Sequence, residues 1–522
     1  MEQKLVKFSL NGQEVEAPEG MNLVEAAKLH GEDIPHYCYH PGLSIAGNCR
    51  MCLCEVDGAR GPQIACAQNV KEGLVVRTQT PAVEKMRKGV QEFLLLNHPI
   101  DCPICDQAGE CRLQDYYMDY GKYDNRSDVP KVQKEKAVDI GPMVVLDQER
   151  CILCSRCVRF CAEVTQTHEL VITGRGDHSV IETFPGQQLD NKYSGNVVDV
   201  CPVGALTSKD FRFKMRVWFM KSVKSVCTGC SRGCNIFLDQ KESVVYRYRP
   251  RQNMEVNTYW MSDEGRLSYK RINDDRQRDV LVNGQKTPFG LAFKEMLGKL
   301  EAARAAGAIT VVGSPHASLE DNYVLKALAG RVLGTEKLYG FDATPDGYQD
   351  DLLLRADKTP NRTGVRYLGI NDDRQALLAG LKGAQVALVM ANNLAQDAEL
   401  AAALKAVPTV VYLATHADQT AGIAQYVFPV AMHAEKYGSF VNFQGRVQRF
   451  YQAFEAQGDA VAEMEFLSKL GRTIDAKFGY DDIEEIWVDM RQTHTELGEL
   501  GWYKLGDEGF QIPSLAAQTA TV

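Results

Sequence analysis

All sixteen cysteines of this 522-residue chain lie between Cys38 and Cys234, and the half that follows has none. Thiols concentrated in this way serve local chemistry. Cys38, Cys49, Cys52 and Cys66 are spaced C-x10-C-x2-C-x13-C, and His98, Cys102, Cys105 and Cys111 are spaced H-x3-C-x2-C-x5-C. Cys151, Cys154 and Cys157 form CILCSRC with a distant Cys201-Pro202, and Cys227, Cys230 and Cys234 form CTGCSRGC. Thiolates at CxxC spacing are metal ligands. A disulfide framework suits small secreted domains, and this long chain opens without the basic, apolar and small-residue regions of an export signal. Zinc competes with iron for such sets, so the finer spacing and the elements around it must decide.

Residues 4–9 alternate as a strand, Asn11-Gly12 predicts a tight turn, and Gln13 to Ala17 reads as the return strand. Asn22 is placed to cap a helix with Glu25 three positions on, Leu23, Ala26, Ala27 and Leu29 give it an apolar side, and Gly31 ends it. Strand, strand, helix and cysteine loop make the opening of a β-grasp ferredoxin. The loop with Cys38, Cys49, Cys52 and Cys66 resembles the [2Fe-2S] domain of respiratory complex I and related NADH-linked enzymes. Ala46 and Gly47 suit it, because exposed sulfides need backbone N–H donors brought close. Cys54 is left over and reads as a packed thiol.

A helical run from about Pro81 to Leu96 leads into His98, Cys102, Cys105 and Cys111. This segment resembles the [4Fe-4S] motif of one histidine and three cysteines in the large complex I subunit and in the diaphorase part of bidirectional hydrogenases. A neutral imidazole in place of a thiolate removes one negative charge, which by itself raises the cluster's potential. Cys151, Cys154, Cys157 and Cys201 supply a second [4Fe-4S] set in the bacterial ferredoxin manner. Cys161 would extend that run, but no second CxxCxxC accompanies Cys201, so it is a non-ligand; the resemblance leads to the same assignment. Cys227, Cys230 and Cys234 resemble the start of molybdopterin oxidoreductases, where a fourth cysteine precedes Asp-x-Gly-Arg. Here Ser262 stands before Asp263-Glu264-Gly265-Arg266. Four readings stay open: a third [4Fe-4S] completed by a serine alkoxide, a three-thiolate cluster, a zinc site and an empty relic.

From about Ala308, AITVVG, AQVALVMANN and PTVVYLATH alternate with alanine-rich helical stretches, which predicts a doubly wound α/β layer. GSPHASLEDNYVLKALAGRVLG and VFPVAMHAEKYGSFVNFQGRVQRF resemble molybdopterin oxidoreductases. No cysteine follows the first of those strands, and only about 70 residues remain after GRVQRF, too few for the barrel that closes over the cofactor. With neither that cysteine nor the barrel, no molybdopterin is expected, and with no GxGxxG after a strand no flavin is expected. The expected organisation is an α/β multidomain chain. Residues 1–80 form a [2Fe-2S] β-grasp ferredoxin domain, and 81–220 a helical and loop domain with one histidine-containing and one all-cysteine [4Fe-4S]. Residues 221–275 form a degenerate [4Fe-4S] subdomain and 276–460 an inactive, truncated molybdopterin-oxidoreductase-like α/β domain. A C-terminal helical segment, 461–522, is expected to lie across a partner or the surface, and its last residues, AAQTATV, to be disordered.

A net charge of -9 with 45% hydrophobic residues gives no footprint for nucleic acid, and no run reaches the roughly 20 apolar residues of a membrane span. In order, the motifs resemble the large iron-sulfur subunit of respiratory complex I (NADH-quinone oxidoreductase), the NuoG or 75 kDa type. That resemblance implies an electron-relay subunit with no catalytic residues of its own. It would carry electrons from a flavin- and NADH-binding subunit to the [2Fe-2S], the all-cysteine and the histidine-ligated sites, then to a ferredoxin-like two-cluster subunit and on toward the quinone-site subunits. It also implies a place in the peripheral arm on the cytoplasmic side of the inner membrane, touching the membrane only through the complex. The rivals are the relay subunit of a soluble NAD-linked hydrogenase or electron-bifurcating complex, an NAD-dependent formate dehydrogenase and a zinc-stabilised scaffold.

Overall fold

The computed structural model describes residues 4–124 and 126–519. They divide into two compact units, Met1–Met220 and Lys221–Val522.

The first unit opens with strands Leu5–Leu10 and Gln13–Pro18, paired antiparallel so that Leu10 faces Gln13. Asn11 (φ 50°) and Gly12 (φ 85°) make the turn, and positive φ at both central positions matches the twist of a two-residue hairpin. Val75–Arg77 lies parallel to the first strand and Leu53–Val56 joins on its far side, which completes the β-grasp order. Helix Leu23–Leu29 packs beneath this sheet through Leu23, Ala26 and Ala27. Asn22 caps it by accepting from the Val24 amide at 3.0 Å, while its own Nδ2 donates to the Cys66 carbonyl at 2.7 Å. Glu25 takes no part in the cap, so the expected reciprocal box is replaced by a tie between the helix and the last cysteine of the loop.

Beyond the sheet, Thr80 caps helix Pro81–Asn97, which ends on His98. Helix Arg112–Tyr120 starts directly after Cys111, and helix Asn196–Val200 ends on Cys201. Three helix ends therefore deliver three of the expected ligands.

In the second unit a meander of Lys221–Val226, Asn235–Lys241 and Val244–Pro250 carries the CTGCSRGC turn between its first two strands. The larger layer has parallel strands in the order Leu338–Tyr339, Ile309–Val312, Val386–Met390, Thr409–Ala414 and Tyr426–Pro429. Hairpin Leu281–Lys286 adds an antiparallel edge. The central strands are buried on both faces, which explains their unbroken apolar runs.

The C-terminal segment does not lie across a surface. Phe466, Leu467 and Leu470 of helix Glu463–Ile474, and Ile486, Trp487 and Met490 of helix Ile483–Thr493, belong to the same core as the sheet. Trp487 Nε1 donates to Glu320 Oε1 at 2.9 Å inside that core. The expected disordered tail is also corrected as far as Thr519, since Pro513–Thr519 is helical; Ala520, Thr521 and Val522 lie outside the described residues.

Candidate metal centres

The first cysteine set folds into one knot. Cys38, Cys52 and Cys66 are buried and Cys49 is half-buried. Hydrogen bonds from Cys49 and Cys66 hold the Cys38 thiol far below its usual value, and the same contacts push Cys49 and Cys66 up. The Asn48 and Cys49 amides also point at Cys38, and the Met51 amide at Cys49. Gly47 (φ 60°) makes the approach possible, because a Cβ there would lie 2.9 Å from Ile64 Cδ1. Cys54 packs into the sheet core with its thiol 3.7 Å from the Gln63 carbonyl, and burial pushes it to about 12.

His98, Cys102, Cys105 and Cys111 line one cavity of about 1070 Å³. Desolvation, reinforced by the Arg150 charge, lowers the His98 imidazole to about 4, so it is neutral near pH 7. Its Nδ1 is buried with no hydrogen-bond partner. Such an orphan is costly unless a ligand uses its lone pair or its proton, which fits a group held by histidine and thiolates. Burial pushes Cys111 to about 11 against the amides of Gln114 and Leu113. Gly204 approaches so closely that a Cβ would sit 2.3 Å from Cys105 Sγ. Arg150 lines the same cavity, buried and paired with Asp101 at 2.7 Å and Asp147 at 3.2 Å.

Cys151, Cys154, Cys157 and Cys201 line a separate, small cavity walled by apolar residues such as Ile152, Ile181 and Val203. Leu153 (φ 52°) and Ser155 (φ 61°) adopt left-handed backbone, a strain of about 1–3 kcal/mol each that bends the turn around the cavity. The Leu153 amide donates to Cys151 Sγ at 3.4 Å. Burial pushes Cys151 to about 11 and Cys201 to about 12. Cys161 lies in the next helical turn, away from this cavity, with its carbonyl taking the Thr167 and His168 amides. Thiols buried this way stay protonated until a cation displaces the proton, and an iron–sulfur core supplies that charge.

Side chains that sequence reasoning passed over join these sites. Asn48 Nδ2 donates to the Leu153 carbonyl at 3.1 Å. Arg159 reaches the carbonyls of Cys38 and Ser44, and Arg156 those of Tyr39 and Val200. The second and third sets meet through Cys201–Gly204: the Arg112 amide donates to the Pro202 carbonyl at 3.1 Å, and Gly204 abuts Cys105. A single apolar cluster touches Cys49, Cys111, Cys151 and Cys201. The signal available in the sequence was arginine placed inside a cysteine run, CILCSRCVRF, where a solvated charge has no reason to be.

In the second unit Cys227, Cys230 and Cys234 are buried together, and burial raises all three thiols, Cys227 to about 12. Ser262 is close by. A Cβ on Gly265 would lie 3.0 Å from Cys227 Sγ and 3.1 Å from Ser262 Oγ.

Family models match along the chain. Residues 3–81 match a 2Fe-2S iron-sulfur cluster binding domain, 87–126 an NADH-ubiquinone oxidoreductase-G iron-sulfur binding region, and 141–207 an NADH-quinone oxidoreductase subunit 3 ferredoxin-like domain. Residues 220–270 match an NADH-ubiquinone oxidoreductase NDSU1/NuoG-like 4Fe-4S domain, and 361–473 a molybdopterin oxidoreductase domain. The NuoG-type subunit of the NADH-quinone oxidoreductase of Rickettsia conorii is 37% identical over 390 residues, 74% of this chain and 57% of that protein. The NADH-ubiquinone oxidoreductase 75 kDa subunit of Reclinomonas americana is 40% identical over 363 residues, 68% of this chain and 52% of that protein. The chain belongs to the NuoG family. This NuoG homologue carries one 2Fe-2S and several 4Fe-4S domains, in the order that the resemblance implied. The match spans 57% of the length of the Rickettsia conorii protein. A chain of an NAD+-reducing [NiFe]-hydrogenase matches 41% of this one at 30% identity, but its TM-score of 0.36 supports no shared arrangement.

Proposed function

We propose that this chain is the electron-relay subunit of an NADH:quinone oxidoreductase. Cys38, Cys49, Cys52 and Cys66 hold a [2Fe-2S] cluster, Cys151, Cys154, Cys157 and Cys201 a [4Fe-4S], and His98, Cys102, Cys105 and Cys111 a second [4Fe-4S]. When bound, these clusters supply one-electron chemistry at fixed positions. The residues of the chain do the rest. They hold the sites together, exclude water around the all-cysteine set, aim amides at sulfur and place the Arg150 guanidinium beside the histidine set.

The observation that carries this reading is the pair of bridges. Asn48, Arg156 and Arg159 tie the first site to the third, and Cys201–Gly204 ties the third to the second. The order of contact is therefore Cys38 loop, CILCSRC turn, His98 loop, one continuous route for single electrons. The relatives are named as subunits of NADH-quinone or NADH-ubiquinone oxidoreductase. On that basis the partners are a flavin- and NADH-binding subunit at the Cys38 end, a two-cluster ferredoxin-like subunit at the His98 end and, beyond it, the quinone-site subunits. The place is the peripheral arm on the cytoplasmic side. Among the described residues no helix is long and apolar enough to cross a membrane, so in this reading the chain meets the membrane through its partners. The α/β layer serves as scaffold.

The test is iron and acid-labile sulfide per chain on anaerobically purified protein, with EPR of the reduced sample. Signals of one two-iron and two four-iron clusters support the relay. A colourless, redox-silent chain holding zinc overturns it.

A further inference from the structure

The Cys227 site departs from its own family model. Residues 220–270 match a 4Fe-4S domain, and a four-iron cube in an all-cysteine set takes one thiolate per iron. The motif supplies only three thiols here, since Ser262 stands where its fourth cysteine is expected. We infer that this site holds a three-iron [3Fe-4S] cluster on Cys227, Cys230 and Cys234, with Ser262 as a neutral neighbour and not a ligand. The inference rests on the reading that the chain binds iron–sulfur clusters.

The site is kept clear and dressed as a cluster site. The Gly229 amide donates to Cys227 Sγ at 3.4 Å, and the Arg232 and Arg355 amides point at Cys230. Gly229 and Gly265 meet so closely that a Cβ on Gly229 would lie 3.0 Å from Gly265 Cα, and one on Gly265 3.0 Å from Cys227 Sγ. A relic free to drift has no reason to keep two glycines and three sulfur-directed amides around three buried thiols.

The fourth ligand is what fails. Ser262 Oγ already accepts the Gly265 amide at 3.1 Å as the cap of helix Asp263–Leu267, and the residue is 5% exposed. A hydroxyl is far less acidic than a thiol, and an alkoxide here would add a buried anion beside three thiolates. The other oxygens nearby already have partners: Glu264 pairs with Lys358 at 3.0 Å, and the Ser268 hydroxyl bonds to the Gly265 carbonyl at 2.7 Å and lies against the Cys227 thiol. Three thiolates, three irons and four sulfides use every donor the site offers.

The experiment is EPR and iron content of the full chain, purified anaerobically within its complex and then mildly oxidised. The wild-type chain is expected to give the near-isotropic signal of an oxidised three-iron cluster. Cys230→Ala should abolish that signal and leave those of the other clusters, Ser262→Ala should retain it, and Ser262→Cys should replace it with a four-iron cluster carrying one more iron per chain. Loss of the signal in Ser262→Ala, or its absence from wild type while the other clusters are present, overturns the inference. So does its survival in Cys230→Ala, which would trace it to a damaged cube elsewhere. A chain without any cluster signal overturns the relay reading together with this one.

Discussion

Asn48 and Leu153 are 105 residues apart in sequence, yet the Asn48 side-chain amide donates to the Leu153 carbonyl at 3.1 Å. Each residue immediately precedes a cysteine, Cys49 in one set and Cys154 in the other. One hydrogen bond thus links the two cysteine loops directly beside a cysteine of each. Asn48→Ala removes that bond at an exposed position, and the expected cost is about 0.5–1.5 kcal/mol. Arg159→Ala removes four contacts, to Cys38, Ser44, Cys154 and Ser155, and costs about 1.5–3 kcal/mol, as for bonds to a charged group. Thermal unfolding of the loaded protein separates the two, and equal losses would mean the arginine bonds do not join the loops.

His98→Cys adds a thiolate to the second set. The midpoint potential of that cluster falls, because the added negative charge favours the oxidised form. EPR-monitored redox titration reads the shift against the unchanged [2Fe-2S] signal. His98→Ala leaves three thiolates, so the four-iron signal of this site is lost and iron content drops by about one per chain. Unchanged potentials in His98→Cys would take the imidazole out of the ligand set.

Arg150→Gln tests the charge beside the same site. Its guanidinium is buried between Asp101 and Asp147, and removing it leaves both carboxylates to the more exposed Lys136 ammonium, at 3.4 and 3.6 Å, at a cost of about 1–3 kcal/mol. The same substitution withdraws a positive charge that lowers the His98 pKa. The cluster potential is expected to fall and thermal stability with it, whereas a potential that stays put would make Arg150 a purely structural residue.

The cysteine spacing made the grouping of the thiols and the β-grasp opening legible, because those cysteines sit within local turns or at helix ends. What joins the sets was not legible. Arg156 meets Tyr39 across more than 100 residues, and no local rule predicts which carbonyl a buried guanidinium will find. The C-terminal segment misled for a related reason. An amphipathic pattern such as IEEIWVDMRQ states that one face is covered but not by what, and here the cover is the sheet's own helix Leu319–Ala327 through Glu320. In AAQTATV the polar composition suggested disorder, while the alanines and glutamine are strong helix formers and carry the helix to Thr519.

Glu463 sets an acid-side dependence in the second unit. Its carboxyl is fully buried beside Lys436 and Asp321, and desolvation raises it from 4.5 to about 7 even though Lys436 opposes the shift. A raised carboxyl binds more protons in the folded state than in the unfolded one, so its stabilising contribution is complete below about 4.5 and is lost as pH rises through about 7. Glu463→Gln keeps the shape and removes the titration. Unfolding of wild type and variant at pH 5 and pH 8 should show wild type losing more stability than the variant over that range. Parallel losses would mean that Lys436 keeps Glu463 ionised throughout.

Trp487 tests whether the C-terminal helices belong to the core. Its indole N–H is one of the donors to Glu320, together with the amide and hydroxyl of Ser439 at 2.8 and 2.7 Å. Glu320 is fully buried, and burial raises its pKa against these donors. Trp487→Phe preserves most of the packing but takes one donor from a buried carboxyl, which costs about 1–3 kcal/mol. Trp487→Ala adds a cavity and costs about 3–5 kcal/mol. If the helix were a partner-binding arm, both variants would unfold with wild type in the isolated chain and differ only within the complex. Because Trp487 and Glu320 meet inside one core, the loss should appear in the chain alone, and Glu320→Gln combined with Trp487→Phe should cost less than the two single losses added together.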